Sequence, residues 1–272
     1  MAEIVPELSL SSDYSLLALR GQITMVNDMT ENDERGWTRR DWMLGAGAMA
    51  AGIAGATRLV FAKTQAASEG VSASPIPVAI LLGPNATLID FAGPWEVLGA
   101  ASYSCPGFNA YSVAATREPV LCDDGRTVMG DHKPASGPHV VPDFTFEDAP
   151  QPRVVIIGAQ MRDGVRTVDW IRHAAQKADL VASVCTGAFL LGKTGLLDGK
   201  RATTNRNAYD DFEKSFPKVK LVRGVRFIDS GDVATATGLT AGIDLAIHIV
   251  ERYYGPKVAQ KTADYEEWRQ LA

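Results

Sequence analysis

In the stretch Leu180-Val181-Ala182-Ser183-Val184-Cys185-Thr186-Gly187-Ala188, an apolar run of strand type meets a small-residue helix start at a cysteine. A residue on such a turn projects its side chain above the sheet, and Gly187 and Ala188 allow the helix to approach the strand closely. The helix N-terminus favours a thiolate, so Cys185 is expected to have a lowered pKa and to act as a nucleophile near neutral pH. An oxyanion hole would draw on the backbone N–H of Thr186 and on one from Gly158-Ala159, where the apolar run 154–157 ends. A buried, inert cysteine is the competing reading. The strand-to-helix switch followed by Thr-Gly-Ala favours the nucleophile.

The other residues that could do chemistry are sparse. His132, His139, His173 and His248 show no metal-ligand spacing, so no metal is expected and no cofactor is implied. In an oxidising compartment Cys105 and Cys122 could pair, which would leave Cys185 as the odd thiol. Asp244, near the start of the last long helical pattern, reads as structural.

The elements that must position Cys185 follow from hydrophobic patterning. Short apolar runs at 78–82, 111–115, 153–157 and 180–184 suit strands buried on both faces, and they alternate with helical patterns at 94–101 and 165–177. That alternation implies right-handed βαβ units and an α/β fold with a mainly parallel sheet. Residues 120–142 change to short β-like pieces with turn residues and read as a hairpin excursion. After the cysteine come a helix from Thr186, a helix over 208–216, a β segment over 225–236 broken at Ser230-Gly231-Asp232, and a helix over 240–254 stopped by Gly255-Pro256.

The chain preceding this domain has a different character. Thr38-Arg39-Arg40-Asp41-Trp42-Met43-Leu44 followed by a Gly/Ala-rich apolar run resembles a twin-arginine export signal, too short and too weakly apolar for a stable membrane span. The expected organisation is a leader of unassigned role over 1–37, a signal peptide over 38–66, a linker over 67–77 and the α/β domain over 78–272, exported to the periplasm. Removing residues 1–66 would take away six basic and eight acidic side chains and leave the domain mildly acidic, as the whole chain is at net −5. An acidic surface without a basic run argues against nucleic acid and anionic lipid and for a small-molecule partner. The eighteen residues after Tyr254 are also too few for a helix-turn-helix unit.

Several motifs carry a family resemblance. Val184-Cys185-Thr186-Gly187-Ala188, the stretch Leu196-Leu197-Asp198-Gly199-Lys200-Arg201-Ala202-Thr203-Thr204, the stretch Thr237-Gly238-Leu239-Thr240-Ala241-Gly242-Ile243-Asp244 and Leu88-Ile89-Asp90-Phe91-Ala92-Gly93-Pro94-Trp95 together resemble the ThiJ/PfpI superfamily, over 78–255 and in the expected order. The resemblance implies a three-layer, glutamine-amidotransferase-like (flavodoxin-like) sandwich with a nucleophile elbow, and a homodimer. Within the superfamily, Cys-Thr-Gly and Asp-Phe-x-Gly-Pro are most similar to the isonitrile hydratase branch and to the sensor halves of certain transcription regulators. It also implies that Asp90 sits beside Cys185, with Thr186 next to it. A carboxyl group there would exchange a proton with the thiol, and burial between Phe91 and Trp95 would raise its pKa. The competing role for Asp90 is capping a helix that starts near Pro94, which is four residues away.

One departure matters, because the hydratase-like pattern continues after Thr204 with His and Trp where this chain has Asn205-Arg206. Asparagine hydrogen-bonds but does not titrate, so Asn205 is expected to bind rather than relay a proton. The expected function is a cysteine-dependent hydratase or hydrolase acting on a small electrophile. The alternative is a non-catalytic ligand-binding or thiol redox-sensing protein.

Overall fold

The computed structural model describes residues 74–123, 137–161 and 164–269. The expected leader and signal segment and the Asp124-Gly125 turn of the hairpin excursion lie outside them, as do most of the linker and His132. Seven strands form the main sheet: β1 (Ile76–Leu81), β3 (Phe108–Ala114), β6 (Phe144–Thr145), β7 (Val154–Ile157), β8 (Leu180–Val184), β11 (Phe227–Asp229) and β12 (Val233–Ala236). Their spatial order is β11-β12-β8-β7-β1-β3-β6, parallel throughout except that β11 runs antiparallel to β12. Every residue of β7 and β8 is buried, which is why these strands read as unbroken apolar runs and not as alternating ones.

Helices cover both faces. One face packs α1 (Leu88–Ala101), α5 (Ala241–Tyr254) and α6 (Pro256–Tyr265) over a core that includes Ile80, Val97, Leu98, Leu245 and Ile249. The other packs α2 (Val165–Ala175), α3 (Gly187–Lys193) and α4 (Tyr209–Ser215) over a core with Val155, Ile157, Ile171, Leu190 and Phe212. The result is the α/β three-layer sandwich with a mainly parallel sheet.

Short strands complete the frame. A small sheet of β2 (Ala86–Thr87), β4 (Val120–Asp123) and β5 (His139–Val140) holds the hairpin excursion, and β9 (Arg201–Ala202) pairs with β10 (Lys220–Leu221). Among the described residues no helix is long and apolar enough to cross a membrane.

Two expectations are corrected and one is met. The helix expected from Pro94 begins six residues earlier, at Leu88, and carries Pro94 inside it. A proline in the second turn deletes one N–H, but the helix has already closed its first turn by then, so Pro94 marks no boundary. Gly255-Pro256 does end α5, with Gly255 at φ 83°, yet Pro256 at once occupies the first turn of α6, where a missing N–H costs nothing. Finally, Cys105 and Cys122 are free thiols: the first donates to the Ala101 carbonyl at 3.1 Å beyond α1, and the second is buried in β4.

Candidate active site

Cys185 follows β8 directly and adopts φ 58°, a left-handed backbone that is costly for any residue with a Cβ. Packing holds it there. Its N–H donates to the Ala236 carbonyl of β12 at 3.1 Å, and its own carbonyl accepts the Thr204 hydroxyl at 3.0 Å. Two glycines make the turn possible: a Cβ on Gly187 would run into the Ile157 carbonyl oxygen, and one on Gly238 would lie 2.9 Å from the Cys185 Cβ and 3.0 Å from its Sγ.

The starting point of α1 explains why Asp90 reaches this turn. With Thr87 at the N-cap, Asp90 lies in the first turn of α1, yet its carboxyl is fully buried and turned away from its own helix. One oxygen accepts the Ala159 N–H at 3.1 Å and the other accepts the Leu239 N–H at 2.9 Å. The carboxyl also lies close enough to the Cys185 thiol for each to act on the other's titration. Gly158 lets the helix come this close, since a Cβ there would sit 3.1 Å from the Asp90 Cβ.

The electrostatics differ from the expectation for the thiol. Burial, followed by the charge of Asp90, pushes the Cys185 thiol up to about 12, outweighing the Asn205 side chain and the Thr186 N–H that favour the thiolate. The expected lowering by the helix N-terminus is therefore corrected: α3 is short, and the thiol is completely enclosed. Burial also raises Asp90 to about 6, against the pull of its two backbone donors. Near neutral pH the resting pair is a thiol beside a carboxylate.

Asn205 caps the short 3₁₀ turn at 206–208. Its Oδ1 accepts the Asn207 N–H at 3.0 Å, which turns its Nδ2 towards Sγ at 3.3 Å. The two ends of the amide are thus assigned by their partners, and Asn205 is a donor to sulfur. The Thr186 N–H also faces the sulfur. Ala159 differs from its expected part, because its N–H is committed to Asp90 and not to an oxyanion above Sγ. Gly158 contributes its lack of a side chain, as described above.

Sequence reasoning missed Thr204, Gly238 and Leu239 as parts of the site. All three lie in motifs singled out for family resemblance, but a backbone N–H, a hydroxyl on a carbonyl and a missing Cβ leave no chemical signature in residue type. Of the histidines, His248 lies on α5 bound to Asp229 at 2.8 Å, and His139 and His173 lie on β5 and α2. Among the described residues no group of three His, Cys, Asp or Glu side chains could hold a metal ion. A cavity of about 360 Å³ opens at the carboxyl ends of β1, β3 and β7, and neither Cys185 nor Asp90 lines it.

A parallel sheet of this order, with a cysteine on a strained turn after β8 and a carboxyl from α1 clasped beside it, defines an α/β protein of the nucleophile-elbow class. The DJ-1/PfpI family model matches residues 77–252, and the chain belongs to that family. It is 33% identical over 191 residues to an isonitrile hydratase from Pseudomonas putida, covering 68% of this chain and 75% of that protein. It is 28% identical over 187 residues to the HTH-type transcriptional regulator CdhR from Pseudomonas aeruginosa, matching 68% of this chain but only 52% of the regulator. Among solved structures, a ThiJ/PfpI family protein from Pseudomonas syringae superposes with a TM-score of 0.62 at 23% identity, over 73% of this chain and 77% of that one, a likeness of fold.

Proposed function

We propose that the protein is a cysteine-dependent hydratase of small electrophiles, with an isonitrile as the substrate class. The observation that carries this reading is the buried Asp90 carboxyl, clasped by two backbone N–H groups beside the Cys185 thiol at a strained turn. Similarity to an isonitrile hydratase supports the choice of substrate.

The thiol is protonated at rest, so the proton must leave as sulfur attacks. Asp90, raised to about 6, is matched to accept it near neutral pH. Sulfur bonds to the isonitrile carbon and Asp90 returns the proton to that carbon, giving a thioimidate. Water then adds to this carbon, with Asp90 taking one of its protons and passing it to the nitrogen. The C–S bond breaks, sulfur regains a proton, and an N-substituted formamide leaves. Asn205 Nδ2 and the Thr186 N–H steady the charge that gathers on sulfur in both half-reactions.

The test is incubation with cyclohexyl isocyanide and detection of N-cyclohexylformamide. Turnover should rise as pH increases through about 6, where the carboxylate forms. Cys185→Ser should abolish it and Asp90→Asn should lower it by roughly 10²–10⁴-fold, the usual worth of a general base. No formamide from protein with an intact thiol would sink the reading.

A second reading, a ligand-binding module without turnover, is favoured by one observation: the thiol is enclosed and held neutral. It predicts saturable ligand binding that Cys185→Ser leaves intact. We also propose export through the twin-arginine signal at 38–66; N-terminal sequencing of protein from the periplasmic fraction should find a start after residue 62 or 66, and an intact Met1 there would refute cleavage.

A further inference from the structure

The cavity at the carboxyl ends of β1, β3 and β7 has a topological origin. The chain leaves β1 for α1 on one face and enters β3, whereas it leaves β7 for α2 on the opposite face and enters β8. Loops that part at adjacent strands open a crevice between them, and open α/β sheets bind ligands above such switch points. Here Gly83 and Pro84 follow β1 and Gln160 and Met161 follow β7, with the Met161 N–H donating to the Pro84 carbonyl at 2.9 Å. The space of about 360 Å³ is at the small end of ligand sites, and its body is apolar, with Leu82, Val120, Leu121 and Phe146.

Its polar group is unusual. Both the oxygen and the nitrogen of the Gln160 carboxamide are buried without a hydrogen-bond partner. Such a group has given up its hydration at each unmet donor and acceptor, so a buried amide with both ends unmet calls for a partner. The carboxamide is tucked against Gly83, where a Cβ would stand 2.9 Å from its Oε1. Gln160 is itself one of the residues that line the cavity.

We propose that this crevice is a binding site, separate from Cys185, for a small neutral molecule with an apolar body and an amide head, whose C=O and N–H pair with the Gln160 carboxamide. No Lys or Arg lines the cavity among the described residues, and Glu118 does, which disfavours a carboxylate head. The inference does not depend on any turnover at Cys185.

The probes are N-butylacetamide and butyl acetate, which lacks the N–H, titrated into the full chain and followed by NMR. The amide should shift the Gln160 side-chain N–H₂ and the Met161 methyl saturably and bind at least about tenfold more tightly than the ester, a difference the size of one hydrogen bond. Gln160→Leu should weaken the amide by at least about tenfold while leaving the thermal transition unharmed, since it removes unpaired polar atoms. Cys185→Ser should leave amide binding unchanged. The inference is overturned by an absence of saturable binding, by binding that Gln160→Leu does not alter, or by shifts confined to Thr186 and Asn205, which would place the amide at the cysteine instead.

Discussion

The charge of Asp90 helps to hold the proton on the Cys185 sulfur. The carboxylate is the second-largest influence raising the thiol after burial, while Asn205 pulls the other way. Iodoacetamide alkylation of Cys185, followed by mass spectrometry, should therefore be slow at neutral pH, with no inflection below the ~8.5 of a free thiol. Asp90→Asn should shift the alkylation profile to lower pH. Asn205→Ala should shift it to higher pH. A profile indifferent to both substitutions would show that neither side chain acts on the sulfur. Cys185 and Asp90 were legible as a candidate pair because cysteine and aspartate are chemically distinctive types in recognisable motifs. The direction of the thiol shift was not, because a helix N-terminus can be read from a sequence but complete enclosure cannot.

The elbow depends on where backbones touch, and glycines measure that. Gly187→Ala would force a Cβ into the Ile157 carbonyl, which belongs to β7 and has nowhere to go, so we expect a loss of about 3 kcal/mol in urea denaturation, the upper range of overpacking. The turn carrying Leu239 is straddled by Arg226. Its carbonyl accepts the Thr237 N–H at 2.9 Å, and its guanidinium bonds the Thr240 hydroxyl at 3.2 Å and the buried Asp244. Arg226→Ala would leave Asp244 with the Trp268 indole N–H at 2.8 Å as its remaining side-chain donor. We expect a cost of about 2 kcal/mol in the same measurement, below that of a fully buried pair because Arg226 is half exposed. Asp244 was legible as structural, whereas Arg226 was not singled out, because its partners lie on two other segments. The early start of α1 was missed for a related reason: Leu88-Ile89-Asp90-Phe91 has no helix-specific period, and its first turn is set by packing beside Ala159.

Across the whole molecule, the buried pair should leave a mark on stability. Asp90 has its folded pKa raised to about 6 from 3.8, so the native state holds that proton more tightly than the unfolded chain. Its contribution is therefore greatest at low pH and is lost as pH rises through about 6. The stability of Asp90→Asn minus that of the wild type should grow by roughly 2 kcal/mol between pH 4 and 7.5 in chemical denaturation. A constant difference would mean that Asp90 titrates normally. The sequence by itself determined the alternation of buried strands and helices, the strand-to-helix turn at Cys185 and the family to which these motifs belong, since apolar periodicity and residue type are local properties. Only the tertiary structure decided that Ala159 serves Asp90, that Leu239 and Gly238 complete the site, that the thiol stays protonated and that a crevice opens over β1 and β7. Each of these depends on which backbone groups from distant segments come within hydrogen-bond reach, and on how much water the packing leaves between them.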